Sequence, residues 1–130
     1  MPATFTKAER LSSFREIRNL MQDGRTLFHY PFKVLYRKAA PAQVSGPAPQ
    51  PHALVISVPK RNFKRAVHRN LLKRRIRESY RLHKTRLDTP HVQMHLLLVY
   101  VAKQILEYKE IENKVADILG KISEMVQQEH

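Results

Sequence analysis

The sequence predicts one α/β domain spanning residues 1–130, with four strands and three helices in the order α-β-β-β-α-β-α. Two observations predict the elements: short β-branched and aromatic runs punctuated by proline, and apolar residues recurring at three- and four-residue steps in the segments around them. A third sets the size, since 130 residues with 42% hydrophobic content bury one modest core and not two.

The first helix starts near Ser12 or Ser13, where Ser13 and Glu16 have the spacing of a capping box and Phe14, Ile17, Leu20 and Met21 share a face. Gly24 stops it. "RTLFHYPFKVLYRKA" then mixes aromatic and β-branched residues with polar ones. Pro31 restricts pairing, so this stretch is two short strands or one broken strand ending near Lys38.

Residues 40–51, "APAQVSGPAPQP", hold four prolines and one of the three glycines of the chain, which predicts a loop; we place it at 40–52. "HALVISV" has the length and branching of a buried strand, ended by Pro59. A loop over 59–65 leads into a helix from about Val67 to Arg86, a stretch without Gly or Pro. "HVQMHLLLVYV" is a further strand. From about Leu106 to Gln127, Ile111, Val115, Ile118, Leu119, Ile122 and Met125 mark an amphipathic helix, with Gly120 as its local weakness.

The chain carries a formal net charge of +13, unevenly distributed. Residues 1–59 hold 8 basic and 3 acidic side chains, residues 60–86 hold 12 and 1, and residues 87–130 hold 4 and 7. The positive charge is a localised patch, and a nucleic acid is the partner such a patch fits.

Within the basic helix, Arg69, Asn70, Lys73, Arg74, Arg77 and Arg81 fall within roughly 140° of arc, beside a packing arc of Leu72, Ile76 and Tyr80. Like charges at i, i+4 oppose helix formation by about 0.2–0.5 kcal/mol per pair, a cost that a polyanion removes. Ordinary solvated faces interleave Glu with Lys, as residues 107–114 do; this one has only Glu78. Arginine forks suit phosphate, and Asn70 can donate and accept toward a sugar or base edge.

Lys60-Arg61 followed by "AVHRNLLKRRIRE" at 66–78 resembles the RNR signature of the bacterial ribonuclease P protein component. Ala66, Val67, Arg69, Asn70, Lys73, Arg74 and Arg77 match the pattern. "RL" at 10–11, the helix ending in Gly24, "PFKVLY" at 31–36 and the element order extend the likeness over nearly the whole chain.

The resemblance implies an α/β sandwich in which the basic helix joins two parallel strands by a left-handed crossover, against the right-handed rule. It further implies the small subunit of a ribonucleoprotein endoribonuclease. Its RNA subunit removes the 5′ leader of precursor tRNA by phosphodiester hydrolysis with Mg²⁺, held mainly by that RNA, and no catalytic residue is expected on the protein. Lys60, Arg61, Lys64, Arg65, Arg69, Asn70, Lys73, Arg74 and Arg77 would face the RNA subunit. The leader would lie in a cleft between the first helix and the sheet, with Tyr36 matching a leader-contacting tyrosine. Where the family often has aromatic residues on that helix, this chain has Ile17 and Met21, which shifts the expected stacking toward Phe32. The loop before Ala66, "NFKR", is one residue longer than the common glycine-containing form.

Other chemistries find less support. His91 and His95 on one strand face would stand about 13 Å apart along the chain, too far to share a metal. There is no HExxH motif, glycine-rich phosphate loop or nucleophile elbow. A strand and Pro59 precede the basic helix, which argues against helix-turn-helix, and its narrow apolar arc suits a core seam better than a membrane surface. A basic module bound to the ribosome or another structured RNA stays open as the alternative. Without cysteine, an apolar leader peptide or a long apolar run, a cytoplasmic protein off the membrane is expected, with no obligate protein partner.

Overall fold

The computed structural model describes residues 14–38, 52–88 and 92–128. The Ser12/Ser13 helix start, the loop at 40–51 and His91 lie outside them. The elements follow in the predicted order: α1 (Phe14–Asp23), β1 (Arg25–His29), β2 (Phe32–Lys38), β3 (Ala53–Ser57), α2 (Ala66–His83), β4 (Met94–Tyr100) and α3 (Tyr108–Gln128).

Gly24 ends α1 as expected: its N–H donates to the Leu20 carbonyl at 2.9 Å, and a Cβ at this position would overlap that same oxygen. The stretch around Pro31 is two strands, turning at Tyr30 and at Pro31, whose peptide bond is cis. α2 is α-helical only to His83 and tightens into a 3₁₀ turn over Lys84–Arg86, while β4 begins at Met94 and not at His91.

The four strands form one sheet in the order β1-β2-β4-β3, antiparallel except for the β3–β4 pair, which α2 connects. Alternation gives each face its own core. Phe32, Val34 and Tyr36 of β2, Leu54 of β3 and Met94, Leu96, Leu98 and Tyr100 of β4 pack with Leu72, Ile76 and Tyr80 of α2. Ile111, Val115, Ile118, Leu119, Ile122 and Val126 of α3 complete that cluster. On the other face a smaller cluster of Leu20, Ala53 and Leu97 holds α1, flanked by Ile17, Leu35, Val55 and Val99.

An aromatic contact and a set of hydrogen bonds fix the two ends of α2. Near its start the Phe63 ring packs on Tyr100 with centroids 5.9 Å apart. Beyond its C-terminus, His52 Nδ1 accepts from the Met94 N–H at 2.9 Å, so the proton sits on Nε2, 3.2 Å from the Leu87 carbonyl. Ser123 Oγ donates to the Asp88 carbonyl and accepts from the Asp88 N–H. Among the described residues, no helix is long and apolar enough to cross a membrane.

Candidate nucleic-acid interface

Residues 59–65 cross from β3 to α2 over the end of the sheet. Phe63 anchors this crossing, being buried where its neighbours are not, and the Asn62 N–H donates to the Pro59 carbonyl at 3.2 Å. Lys60, Arg61, Lys64 and Arg65 are left exposed around it.

On α2 itself Asn70 and Arg74 are exposed, while Arg69, Lys73 and Arg77 are half-buried along their stems. The helix N-terminus has no side-chain cap at Arg65 and no acid in its first turn, so its dipole adds to the positive field. The structure thus brings the nine predicted cationic and amide residues onto one end and flank of α2.

Arg69, Arg75 and Arg81 of the segment are engaged within the fold. Arg81 pairs with Glu78 through Nε at 3.0 Å and through a second, shorter bond from Nη2, which holds the Glu78 carboxyl below its usual range. Arg69 Nη1 donates to the carbonyls of Phe63 at 2.7 Å and Lys64 at 3.0 Å. The acidic residue of the basic segment is therefore neutralised by a neighbour and leaves the Arg74–Arg77 flank positive.

The predicted leader cleft needs correction. Ile17 is half-buried and Met21 is exposed on α1, as expected for that face. Phe32 and Tyr36 are on the opposite side of the sheet, because even-numbered residues of β2 face α2 and α3. Phe32 is 0% exposed and meets Tyr100 edge-on at 5.8 Å. Tyr36 is 3% exposed, its hydroxyl 3.8 Å from the Met125 sulfur. Tyr36 also lines a pocket of about 350 Å³ with Asp23, Arg25, Arg37, Lys38, Met94 and Val126, at the end of the sheet away from the 59–65 loop.

The residues that do share the α1 face are odd-numbered on β2 and β4 and paired across the register. Phe28 lies opposite Lys33, and Lys33 opposite Val99. Phe28 is 64% exposed and Lys33 is exposed, so an aromatic ring and a cation stand together beyond the part of the sheet that α1 covers. Closer to α1, Arg37 pairs with His95 across the register, and His95 Nδ1 lies 3.3 Å from Glu16 Oε2, close enough for an ion pair but not aligned for a hydrogen bond. Sequence reasoning missed Phe28 and Lys33, although the period-two count that puts Phe32 and Tyr36 in the core places them opposite. Among the described residues no three His, Asp or Glu side chains converge to hold a metal.

A four-stranded sheet carrying one buried seam of a cation-covered helix defines an α/β protein built to hold a polyanion. The family model for ribonuclease P matches residues 5–123. The ribonuclease P protein component of Porphyromonas gingivalis is 30% identical over 128 residues, covering 94% of this chain and 90% of its own length. That of Petrotoga mobilis is 28% identical over 121 residues, covering 92% and 95%. The chain belongs to the ribonuclease P protein family, the protein component of a tRNA-processing ribonucleoprotein. Solved structures share the fold: the RNase P protein of Staphylococcus aureus at TM-score 0.69, with 22% identity and coverage of 90% of this chain and 96% of that one. The RNase P protein from Thermotoga maritima matches at the same TM-score with 23% identity, covering 87% and 96%.

Proposed function

We propose that the protein docks on the ribonuclease P RNA through the 59–77 surface and holds the 5′ leader of precursor tRNA on the α1 side of the sheet. The RNA subunit, with its Mg²⁺, performs the hydrolysis, and the protein contributes affinity and placement. The observation that carries this reading is the segregation of Lys60, Arg61, Lys64, Arg65, Lys73, Arg74 and Arg77 on one end of α2, with the single acid of that segment paired to Arg81. Each phosphate neutralised there releases counterions, so binding should be strongly salt-dependent.

The leader reading is supported by the exposed Phe28 ring beside Lys33, a combination suited to single-stranded RNA because a base stacks on the ring while the cation meets the backbone. Ile17 and Met21 give α1 an apolar wall toward the same side. The pocket beside Tyr36, rimmed by Arg25, Arg37 and Lys38, offers a second place for a phosphate at the far end of the sheet.

The test is precursor tRNA cleavage by a bacterial ribonuclease P RNA at low Mg²⁺, with and without this protein, on substrates with long and absent leaders. Stimulation that depends on the leader is the expected result. Tight RNA binding without stimulation would overturn the proposal and favour a module for ribosomal or other structured RNA.

A further inference from the structure

Leu72, Ile76 and Tyr80 define the seam that α2 buries against the sheet. Three and seven residues before Leu72 and Ile76, Arg69 occupies the next position on that same seam toward the helix N-terminus. At this level the sheet has ended, and what lies under the helix is the 59–65 crossing. A side chain on the seam here therefore points into the crossing, whereas Lys73, Arg74 and Arg77 turn progressively toward solvent.

The contacts follow that geometry. Arg69 Nη1 donates to two consecutive carbonyls, Phe63 at 2.7 Å and Lys64 at 3.0 Å. Arg65, at the N-cap, offers no side-chain hydrogen bond, so the cap does not fasten the loop to the first turn. Four like charges, Lys60, Arg61, Lys64 and Arg65, repel one another along this short crossing, and only Phe63 among 60–65 is buried beneath them.

We propose that Arg69, the first arginine of the signature, is a positioning residue and not a counterion to phosphate. Its guanidinium pins the Phe63–Lys64 backbone, so the loop cations stand in fixed relation to Lys73, Arg74 and Arg77 and the whole surface meets RNA preorganised. The proposal rests on the RNA-docking reading above.

Arg69→Met keeps the aliphatic stem and removes the donors, which spares the packing. Two quantities separate a pin from a phosphate contact: amide hydrogen exchange over residues 62–66 in the free protein, and the salt dependence of binding to a bacterial ribonuclease P RNA. The variant should exchange about tenfold faster over that loop, with β4 and α3 unchanged as the internal control for folding. Its affinity should fall about tenfold at every salt concentration with an unchanged log–log slope. Arg74→Ala should do the reverse, lowering the slope by about 1 and leaving exchange unaltered. A slope reduced by about 1 in Arg69→Met, or loop exchange equal to that of the parent, would overturn the proposal. Absence of salt-dependent binding by the unaltered protein would instead overturn the docking reading, and with it the role given to Arg69.

Discussion

Arg75 Nη1 donates to the carbonyl of Leu106 at 2.6 Å, joining the middle of α2 to the connection between β4 and α3. Tyr100 completes the tie: its hydroxyl donates to the Gln104 carbonyl at 2.6 Å and accepts from the Leu106 N–H at 3.1 Å. Arg75 lies within the cationic run, yet its work is internal. Arg75→Ala should therefore lower unfolding free energy by about 1.5–3 kcal/mol in urea titrations, the range for a hydrogen bond to a charged group. The salt slope of RNA binding should stay at the parent value; a slope reduced by about 1 would mean that Arg75 meets phosphate after all.

The two described glycines should respond in opposite directions to alanine. At Gly24 the added Cβ meets the Leu20 carbonyl oxygen, a backbone atom that moves only if α1 unwinds at its end, so Gly24→Ala should cost about 1–3 kcal/mol. Gly120 lies inside α3 with nothing within 4 Å of a built Cβ, and Gly120→Ala should gain about 0.5–1 kcal/mol from helix propensity alone. Thermal melts of both variants decide the pair, and a stabilised Gly24→Ala would refute the account of how α1 ends.

Acid should destabilise the protein through buried histidine. Burial is the largest influence on His95 and pushes its imidazole below the usual range; the Glu16 carboxylate opposes this and Arg37 reinforces it. His29 shifts the same way, by burial first and then by Lys121 and Lys114, against Asp117. A histidine whose folded pKa lies below its unfolded value takes up its proton first in the unfolded chain. Its contribution is complete above about pH 6.5 and is lost as pH falls from there through the lowered folded value. The urea midpoint should thus drop between about pH 7 and about pH 5, and drop less in His95→Leu. An identical fall in that variant would remove His95 from the explanation.

Phe28 provides the sharpest check on where the leader lies. Stacking of a base on an exposed ring is worth about 1–3 kcal/mol, so Phe28→Ala should weaken binding of long-leader precursor tRNA to the holoenzyme by about tenfold. Leaderless substrate should bind as before. Phe32→Ala would instead open the main core and cost about 3–5 kcal/mol of stability. Equal loss for both substrates in Phe28→Ala would point to a role in folding or in RNA-subunit docking.

Most of the architecture was legible because its signals are local. Apolar spacing in α3, the run of branched residues in β3 and Gly24 each specify an element from a few neighbouring residues. The cationic surface was equally plain, since charge density needs no tertiary information. What misled was the choice of sheet face for Phe32 and Tyr36: alternation ties them together, but which face receives α1 and which receives α2 and α3 is decided by connections far apart in sequence. The inward turn of Arg69 was in principle readable, because it continues the 72–76–80 seam; a cation at that position was assigned by its charge when its spacing said otherwise.

The sheet has two cores of unequal size, and α1 rests only on the smaller one, around Leu20, Ala53 and Leu97. The body of the molecule, in which both sheet-packed helices share a continuous cluster with the other sheet face, does not depend on that contact. Unfolding is then divisible: α1 can lift from the sheet at a free energy well below that of global unfolding, and its amides should exchange through that smaller opening while those of β4 wait for the whole protein. The helix that walls the proposed leader site is thus a part of the described fold able to come and go without the body of the sheet.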